Sequence, residues 1–235
     1  MKTFVLIHGS FQGGWIWQPT AARLRTDGHR VYTPTLEGCA ERRVNLHAGI
    51  TVSSVAAELG QLLFYEDLQD IVLVGTSSGG LVVEKLATLA SDRIERLVFL
   101  DALVPQPGES VRDIVQRPPN AQPYEMTEFT RGLNRASLNE MFAELSGEMK
   151  DWALDRATPH PLGLSDQQPG ELNDFWEREW NATVIYCRDS ANPPESHQRR
   201  TADRLSAHWV EMDAGHYPML THPEETANLL ENAGR

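Results

Sequence analysis

The stretch VLVGTSSGG, residues 72–80, places two adjacent serines in a glycine-rich turn. The run Ile71–Val74 is apolar and β-branched, as in a buried strand, and the residues from Gly80 onward have the apolar spacing of a helix. A G-x-S-x-G turn that joins a strand to a helix is a nucleophile elbow, in which the central serine is exposed for reaction. Gly75–Gly79 matches this pattern and has Ser77 at its centre.

Ser78 is the alternative centre of this turn. That register would place the β-branched Thr76 at a position that prefers glycine, so we choose Ser77 as the nucleophile. The residue after the nucleophile donates its backbone N–H to the oxyanion of a tetrahedral intermediate, and this residue is then Ser78. We therefore expect Ser78→Ala to be tolerated, because alanine keeps the N–H.

The second oxyanion donor is expected from the loop after the first strand, HGSFQGGW at residues 8–15. Its glycines allow the backbone to approach a ligand closely. We choose the N–H of Phe11 as this donor. His8 is expected to order the loop and to take no part in the chemistry.

A serine nucleophile needs a base, and the base needs a carboxylate that orients it. In this arrangement the three residues follow in the order Ser, Asp or Glu, His, each after a strand. His216, in MDAGHYPML, follows a predicted strand through a glycine-containing loop, so we choose it as the base. The downstream histidines that lack this setting are His160, His197, His208 and His222.

Two aspartates fit the position of the orienting acid. Asp189, in VIYCRDSANPP, stands just past a predicted strand and before a helix, and it is our choice. Asp101, in RLVFLDALVP, also ends a strand and stays open as the alternative. Asp213 lies too close to His216 in the chain to orient it.

Short apolar runs alternate with longer segments of helical period along the chain, which predicts an α/β fold with a mostly parallel, six-stranded sheet flanked by helices. The predicted strands are Thr3–Ile7, Arg30–Thr33, Ile71–Val74, Leu97–Leu100, Thr183–Cys187 and His208–Met212. The predicted helices are Trp17–Thr26, Val52–Phe64, Gly80–Ala90, Pro194–Leu205 and Pro223–Asn232.

No strand is predicted between about residues 104 and 181. A structureless connection of this length is implausible in a compact domain, so residues 116–180 are interpreted as a mostly helical cap. The cap is inserted into a core formed by residues 1–115 and 181–235, within a single overall domain. Its aromatic residues line a substrate pocket or form the cap's own core, and both interpretations stay open. The pocket candidates are Ser10, Tyr124, Phe129, Phe142, Trp152, Trp176 and Tyr217.

Composition narrows the class of protein. The chain has 235 residues and a formal net charge of −12, with acidic residues spread along it, which argues against nucleic acid or an anionic membrane as a partner. The apolar run Phe4–Ile7 is too short for a signal peptide or a membrane span, so we expect a cytoplasmic protein. The two cysteines, Cys39 and Cys187, are expected to be free thiols. No metal or nucleotide motif is present, and no cofactor is expected.

Six stretches together resemble the α/β-hydrolase superfamily, and within it the branch of bacterial carboxylesterases, plant methylesterases and hydroxynitrile lyases. They are FVLIHGSFQGGWIW, GHRVYTPTLEG, DIVLVGTSSGGLV, RLVFLDALVPQPGES, IYCRDSANPP and DAGHYPMLTHPEE. The resemblance implies an α/β-hydrolase fold with a triad of Ser77, Asp189 and His216 and oxyanion donors at Phe11 and Ser78.

Two positions bear on the reaction within this branch. Hydroxynitrile lyases of the branch carry a lysine immediately after the histidine, where this chain has Tyr217, and this argues against the lyase reaction. Many relatives have a histidine before the nucleophile, where this chain has Thr76, which bears on substrate preference.

We therefore expect a cofactor-independent serine hydrolase that cleaves a carboxylic ester or lactone of a small, largely apolar substrate. A homodimer is kept open. Two other functions stay open on this scaffold, because a fold does not fix a reaction. One is a non-hydrolytic enzyme, either a lyase or a cofactor-free oxygenase, and the other is a ligand-binding receptor with vestigial catalysis.

Overall fold

A parallel sheet lies at the centre of the protein in a computed structural model that describes residues 1–117, 121–165 and 167–233. Within these residues the sheet has six strands, β1 (Thr3–Ile7), β2 (Arg30–Tyr32), β3 (Ile71–Ser77), β4 (Ile94–Ala102), β8 (Ala182–Cys187) and β9 (His208–Met212). Their order across the sheet is β2-β1-β3-β4-β8-β9, and every neighbouring pair is parallel. The predicted α/β fold with a six-stranded sheet is confirmed.

The two central strands, β3 and β4, are longer than predicted. The apolar pattern marked only Ile71–Val74 and Leu97–Leu100, because the following residues are small or polar. In the structure β3 continues to Ser77 and β4 continues to Ala102. Ser77 and Asp101 therefore lie at the carboxyl ends of adjacent strands, which is the edge where open α/β sheets place their sites.

The helices cover both faces of the sheet. They are α1 (Gln18–Thr26), α2 (Val52–Tyr65), α3 (Gly79–Leu89), α4 (Val111–Ile114), α5 (Arg135–Met141), α6 (Gly147–Arg156), α7 (Glu195–Leu205), α8 (Pro218–Thr221) and α9 (Pro223–Asn232). Short 3-10 helices lie at Gly14–Trp17, Ala40–Asn45, Ser91–Arg93, Leu162–Leu164 and Asn173–Glu177. Each of the five predicted helices is present with ends within one residue of the prediction.

Side chains of β1 show how the core is divided. Val5 and Ile7 pack with α2 and α3 on one face, whereas Phe4 and Leu6 pack with α1 and α9 on the other. All four side chains are completely buried. This two-sided burial explains the continuous apolar runs of the strands, which are typical of parallel sheets.

The predicted cap contains strands as well as helices. Its described residues include an antiparallel sheet of β5 (Glu125–Met126), β6 (Thr130–Gly132) and β7 (His160–Pro161). The expectation that no strand lies in this segment is wrong, because strands of two or three residues are too short to show a period. The helices α5 and α6 agree with the helical part of the prediction, and the cap boundaries at 116 and 180 stay a prediction.

The predicted ranges include positions that the structure does not describe. Residues 118–120 and 166 of the predicted cap, and residues 234–235 of the predicted core, lie outside the described residues. Among the described helices, none combines the length and the apolar character that crossing a bilayer requires.

Candidate active site

Ser77 stands at the end of β3 in a strained backbone conformation. Its φ angle is 51°, in the left-handed region that a serine rarely adopts, and the chain then turns directly into α3. A Cβ atom at Gly79 would lie 2.7 Å from the His8 carbonyl oxygen and 2.8 Å from that of Ile7. Glycine is therefore required for the elbow to pack against the end of β1, as the G-x-S-x-G pattern predicts.

The loop after β1 runs along Ser77. A Cβ atom at Gly9 would lie only 2.6 Å from the Cβ of Ser77, so the backbone passes directly against this serine. Phe11 has a φ angle of 66°, and its carbonyl oxygen accepts a hydrogen bond of 3.1 Å from the Thr158 N–H. This places the predicted donor segment next to Ser77.

His8 holds this loop through both nitrogens of its ring. Its Nε2 accepts a hydrogen bond of 3.0 Å from the Leu36 N–H, and its Nδ1 lies 2.8 Å from the Gly9 carbonyl oxygen. Burial lowers the pKa of His8 to about 4, so the ring is neutral and Nδ1 carries the hydrogen that Gly9 accepts.

His216 lies in the loop after β9 and is hydrogen-bonded to Asp101. The Nδ1 of His216 is 2.5 Å from Oδ2 of Asp101, whose side chain is completely buried. Our choice of Asp189 as the partner of His216 is not what the structure shows, and the alternative, Asp101, occupies that position. Ser77 and His216 line the same cavity.

A β-bulge in β4 explains the direction of the Asp101 side chain. In the pairing of β3 with β4, Thr76 is opposite Leu100 and Ser77 is opposite Ala102, so Asp101 is the extra residue. Its φ angle is 44°. A bulge re-aims a side chain relative to the regular alternation of a strand, and here it directs the carboxylate to His216.

Asp189 has a different environment, although it follows β8 as predicted. Its backbone N–H donates to the Ala214 carbonyl oxygen at 3.1 Å, and its side chain is exposed at the cavity. The neighbouring Ser190 hydroxyl is 3.5 Å from the same Nδ1 of His216 that contacts Asp101. An exposed carboxylate is free to move in solvent, whereas the buried Asp101 is fixed.

Gln198, on α7, fixes the second oxygen of Asp101. Its Nε2 donates to Oδ1 of Asp101 at 2.6 Å and to the Pro193 carbonyl oxygen at 3.0 Å. The side chain is 1% exposed, so both contacts are shielded from water. The two carboxylate oxygens of Asp101 are thus used by His216 and Gln198, and the carboxylate is held in one orientation.

The charge state of His216 follows from its neighbours. Burial by itself lowers the pKa of His216, but the hydrogen bond and charge of Asp101, together with the charge of Glu144, outweigh burial and raise that pKa above 6.5. Glu144, which follows α5, accepts a hydrogen bond of 2.5 Å from the Tyr217 N–H. Burial of the Glu144 side chain raises the pKa of its own carboxyl group.

The cavity at this edge of the sheet has a volume of about 1260 Å³. Three of the seven predicted pocket residues line it: Ser10, Tyr124 and Tyr217. Its apolar lining includes Phe11, Leu103, Val111, Val115, Met141 and Leu162. Charged side chains also reach it, namely Arg112, Arg117, Arg131, Glu140, Glu144 and Asp189.

The other four predicted pocket residues do not line this cavity, and the structure corrects their placement. Phe142 is completely buried and packs against Tyr217 with ring centroids 4.9 Å apart. Trp152 packs edge-on against Trp15 at 5.1 Å. The two that remain are Trp176, which donates to the Pro105 carbonyl oxygen at 2.9 Å, and Phe129, whose carbonyl oxygen accepts from the Leu162 N–H at 2.9 Å.

Several residues of the site gave no readable signal in the sequence. One is Gln198 on α7, another is Glu144 after α5, and a third is Arg131 on β6. Their side chains reach the site only through the tertiary fold. Among the described residues, no group of three or more histidine, cysteine, aspartate or glutamate side chains is placed to hold a metal ion.

Comparisons with known proteins give the family of the chain. The model of a family described as "Alpha/beta hydrolase family" matches residues 4–229. A carbendazim hydrolyzing esterase from Nocardioides sp. (strain SG-4G) is 34% identical, with a match over 69% of this chain and 70% of that protein. Methylesterase 10 from Arabidopsis thaliana is 29% identical, over 97% of this chain and 90% of the plant protein.

A solved structure gives the same result for the fold. An extracellular alpha/beta-hydrolase from a Paenibacillus species, described as sharing structural and functional homology with tobacco salicylic acid binding protein 2, superposes with a TM-score of 0.83. The two chains are 25% identical, and the match covers 100% of each. This chain therefore belongs to the alpha/beta hydrolase family, in the branch that contains these esterases and methylesterases.

Proposed function

We propose that this chain is a cofactor-independent serine hydrolase that cleaves carboxylic esters through an acyl-enzyme. Ser77 is the nucleophile, His216 is the base, and Asp101 orients His216. The observation that carries the proposal is the 2.5 Å hydrogen bond between His216 and the buried Asp101, at a cavity that Ser77 also lines.

The reaction follows from the chemistry of these three side chains. His216 takes the proton of the Ser77 hydroxyl, whose oxygen then attacks the ester carbonyl carbon. The protonated His216 gives that proton to the leaving alcohol as the tetrahedral intermediate collapses to the acyl-enzyme. His216 next takes a proton from water, whose oxygen attacks the acyl carbonyl carbon, and it returns that proton to the Ser77 oxygen as the bond between the acyl group and Ser77 breaks and the acid leaves.

Backbone N–H groups stabilise the negative charge that develops on the carbonyl oxygen. One donor is Ser78, at the start of α3, and the second is in the loop after β1, for which we chose Phe11. A donor of this kind lowers the barrier by roughly 3 kcal/mol. The close passage of Gly9 along Ser77 supports a donor from this loop.

The relatives and the cavity lining support the substrate class. The matched relatives are named as esterases and methylesterases, which favours ester bonds as the target. Apolar side chains in the lining of the cavity that Ser77 also lines, among them Phe11, Leu103 and Val111, favour a small, largely apolar ester or lactone. Pockets for drug-sized ligands have volumes of roughly 300–1,000 Å³, so the cavity of about 1260 Å³ can hold such a substrate.

Tyr217 supports hydrolysis over the lyase reaction. Its side chain is 2% exposed, and burial raises the pKa of its phenol, so it carries no charge at neutral pH. The position that a lysine takes in the hydroxynitrile lyases of this branch therefore supplies no cation for cyanide. Hydrolysis needs no cation there.

An activated alkylphosphonate ester tests the proposal, because serine hydrolases form a stable adduct with such a mimic of the acyl transfer. We expect peptide mass spectrometry to find one adduct, on Ser77, and 4-nitrophenyl butyrate to be hydrolysed. Ser77→Ala is expected to abolish both reactions and to leave the thermal unfolding temperature within a few degrees of the wild-type value. Full activity of Ser77→Ala, or an adduct on Ser78, would contradict the assignment.

A further inference from the structure

A side-chain hydrogen bond joins the two segments that carry the proposed oxyanion donors. The hydroxyl oxygens of Ser10 and Ser78 are 2.8 Å apart, although the two residues are 68 positions apart in sequence. Ser10 lies in the loop after β1, beside Phe11, and Ser78 follows the nucleophile. Ser78 is 6% exposed, so water competes little for this bond.

The hydroxyl of Ser78 does not form the capping hydrogen bond that is common for a serine at its position. It is the N-cap residue of α3, where a serine side chain commonly accepts a hydrogen bond from a backbone N–H of the first turn. No such capping bond is formed here. The hydroxyl instead contacts Ser10, so its partner lies across the site and not in its own helix.

The predicted cap contacts the same pair of hydroxyls. Arg131, on β6, donates from Nη2 to the Ser10 hydroxyl oxygen at 3.2 Å. Its guanidinium also lies 5.6 Å from the centre of the Phe11 ring. Because arginine only donates, Ser10 accepts from Arg131, and its own hydrogen is then available to Ser78.

We propose that this chain of contacts, from Arg131 through Ser10 to Ser78, positions the oxyanion hole. The two N–H donors belong to loops that follow different strands, and each must lie about 2.7–3.1 Å from the same substrate oxygen. The Ser10–Ser78 bond fixes the spacing between those loops. Ser10, Ser78 and Arg131 are positioning residues, and their role rests on the proposed function.

The proposal changes the expectation for Ser78→Ala. Alanine keeps the backbone N–H, but it removes the hydroxyl that holds the N–H in place relative to the loop after β1. The transition state carries more negative charge on the oxygen than the bound ester does, so a displaced donor lowers kcat more than it changes KM.

The experiment compares Ser10→Ala, Ser78→Ala and the double variant with 4-nitrophenyl butyrate. We expect each single variant to lower kcat about tenfold with KM within about twofold, because a small displacement of a donor weakens transition-state binding. The double variant is expected to lose no more than either single variant, because all three lack the same bond. Rates of Ser77 modification by the phosphonate are expected to fall in parallel, because its phosphoryl oxygen occupies the same hole.

Arg131→Met tests the contact from the cap. We expect kcat to fall about threefold, and Arg131→Lys, which keeps a donor, to recover part of the loss. The matched controls are Ser91→Ala and Arg135→Met, which change exposed residues away from the cavity and are expected to keep the wild-type kcat. Thermal unfolding of every variant identifies any that does not fold.

The outcomes separate this proposal from the proposed function. Wild-type kcat in Ser78→Ala, losses that multiply in the double variant, or losses confined to KM would each contradict the positioning role while the hydrolase assignment stands. A wild-type protein that neither hydrolyses esters nor forms the phosphonate adduct would contradict the proposed function, and the positioning role with it.

Discussion

Asp101 and Asp189 both lie at the carboxyl end of a strand of the main sheet, but their side chains differ in burial. Asp101 is completely enclosed and hydrogen-bonded to His216 and Gln198, whereas Asp189 is exposed. A carboxylate in a shielded site interacts more strongly with an imidazole than one in water. The surroundings of each side chain thus decide which aspartate contacts His216.

We expect the titration of His216 to set the pH dependence of the proposed activity. The base must be neutral, so kcat/KM is lost as the pH falls through the pKa of His216. Because Asp101 and Glu144 raise that pKa, we expect the acid limb of the kcat/KM profile to lie above pH 6.5. In Asp101→Asn the effect of burial dominates, and the limb is expected to move to lower pH. A wild-type limb below pH 6.5 would disagree with this environment.

At the residue scale, the sequence marks Ser77 and His216 more clearly than the carboxylate that contacts His216. Ser77 and His216 each follow a strand within a recognisable glycine-containing turn. The sequence leaves Asp101 only as an alternative, because a regular strand alternation does not reveal the bulge that turns its side chain toward His216. The partner Gln198 lies 97 positions away, and no local pattern connects the two residues.

Helix α3, which begins directly after the turn at Ser77 and Ser78, carries an unusual buried acid. Glu84 is completely buried, and neither of its carboxylate oxygens has a hydrogen-bond partner among the described residues. Burial raises the pKa of Glu84 well above 4.5, and the nearby indole of Trp176 offsets this only in part. The folded protein therefore holds a proton on Glu84 at pH values where the unfolded chain has lost it.

The stability of the protein is expected to fall as the pH rises above 4.5 toward the raised pKa of Glu84. Glu84→Met removes this cost and is expected to increase the free energy of unfolding by about 1–3 kcal/mol at pH 8, with a smaller gain at pH 5. Urea denaturation at the two pH values measures the difference. The control Glu95→Met changes an exposed carboxylate, and we expect it to shift stability by less than about 0.5 kcal/mol. An equal effect of both substitutions would contradict the argument.

Elements of the core could be read from the sequence, whereas the small sheet of the cap could not. Helices such as α9 and strands such as β9 have enough residues to show a period, and their predicted ends are the observed ends. The strands β5 to β7 have two or three residues each. Their pairing is decided by contacts between distant segments, which a local pattern does not contain.

At the scale of the whole molecule, the cores on the two faces of the sheet explain why we expect both cysteine thiols to be unreactive. Cys39 lies in the core on one face, and Cys187 lies in the core on the other. Burial raises the pKa of Cys39 to about 12 and raises that of Cys187 as well. Neither thiol therefore forms the reactive thiolate at neutral pH.

We predict that the native protein does not react with a thiol-specific disulfide reagent, and that unfolding exposes both cysteines. Titration at pH 8 is expected to give less than about 0.1 thiol per chain within minutes in buffer, and about two per chain in guanidinium chloride. The control is Leu89→Cys, at an exposed position on α3, which is expected to add one fast thiol. Fast reaction of the unmodified native chain would show that one face opens readily.

The architecture of the whole molecule follows from the alternation of strands and helices, but the contact between Asp101 and His216 does not. Both aspartates reach the same edge of the sheet, because parallel strands bring their carboxyl ends together. Which of them meets His216 depends on the bulge in β4 and on α7 behind it. Tertiary packing therefore decides which aspartate contacts His216, and local sequence patterns do not predict that packing.

The most direct measurement of the central claim is the kcat for ester hydrolysis of Asp101→Asn beside that of Asp189→Asn. Asparagine matches the shape of aspartate and tolerates the positive φ angle at position 101, so each substitution removes the charge and replaces one acceptor oxygen by an NH2 donor, without adding bulk. We expect Asp101→Asn to lower kcat by about 10³–10⁴-fold, because His216 loses its orienting carboxylate, and Asp189→Asn to keep kcat within about twofold. A large loss in Asp189→Asn together with a nearly active Asp101→Asn would contradict the account.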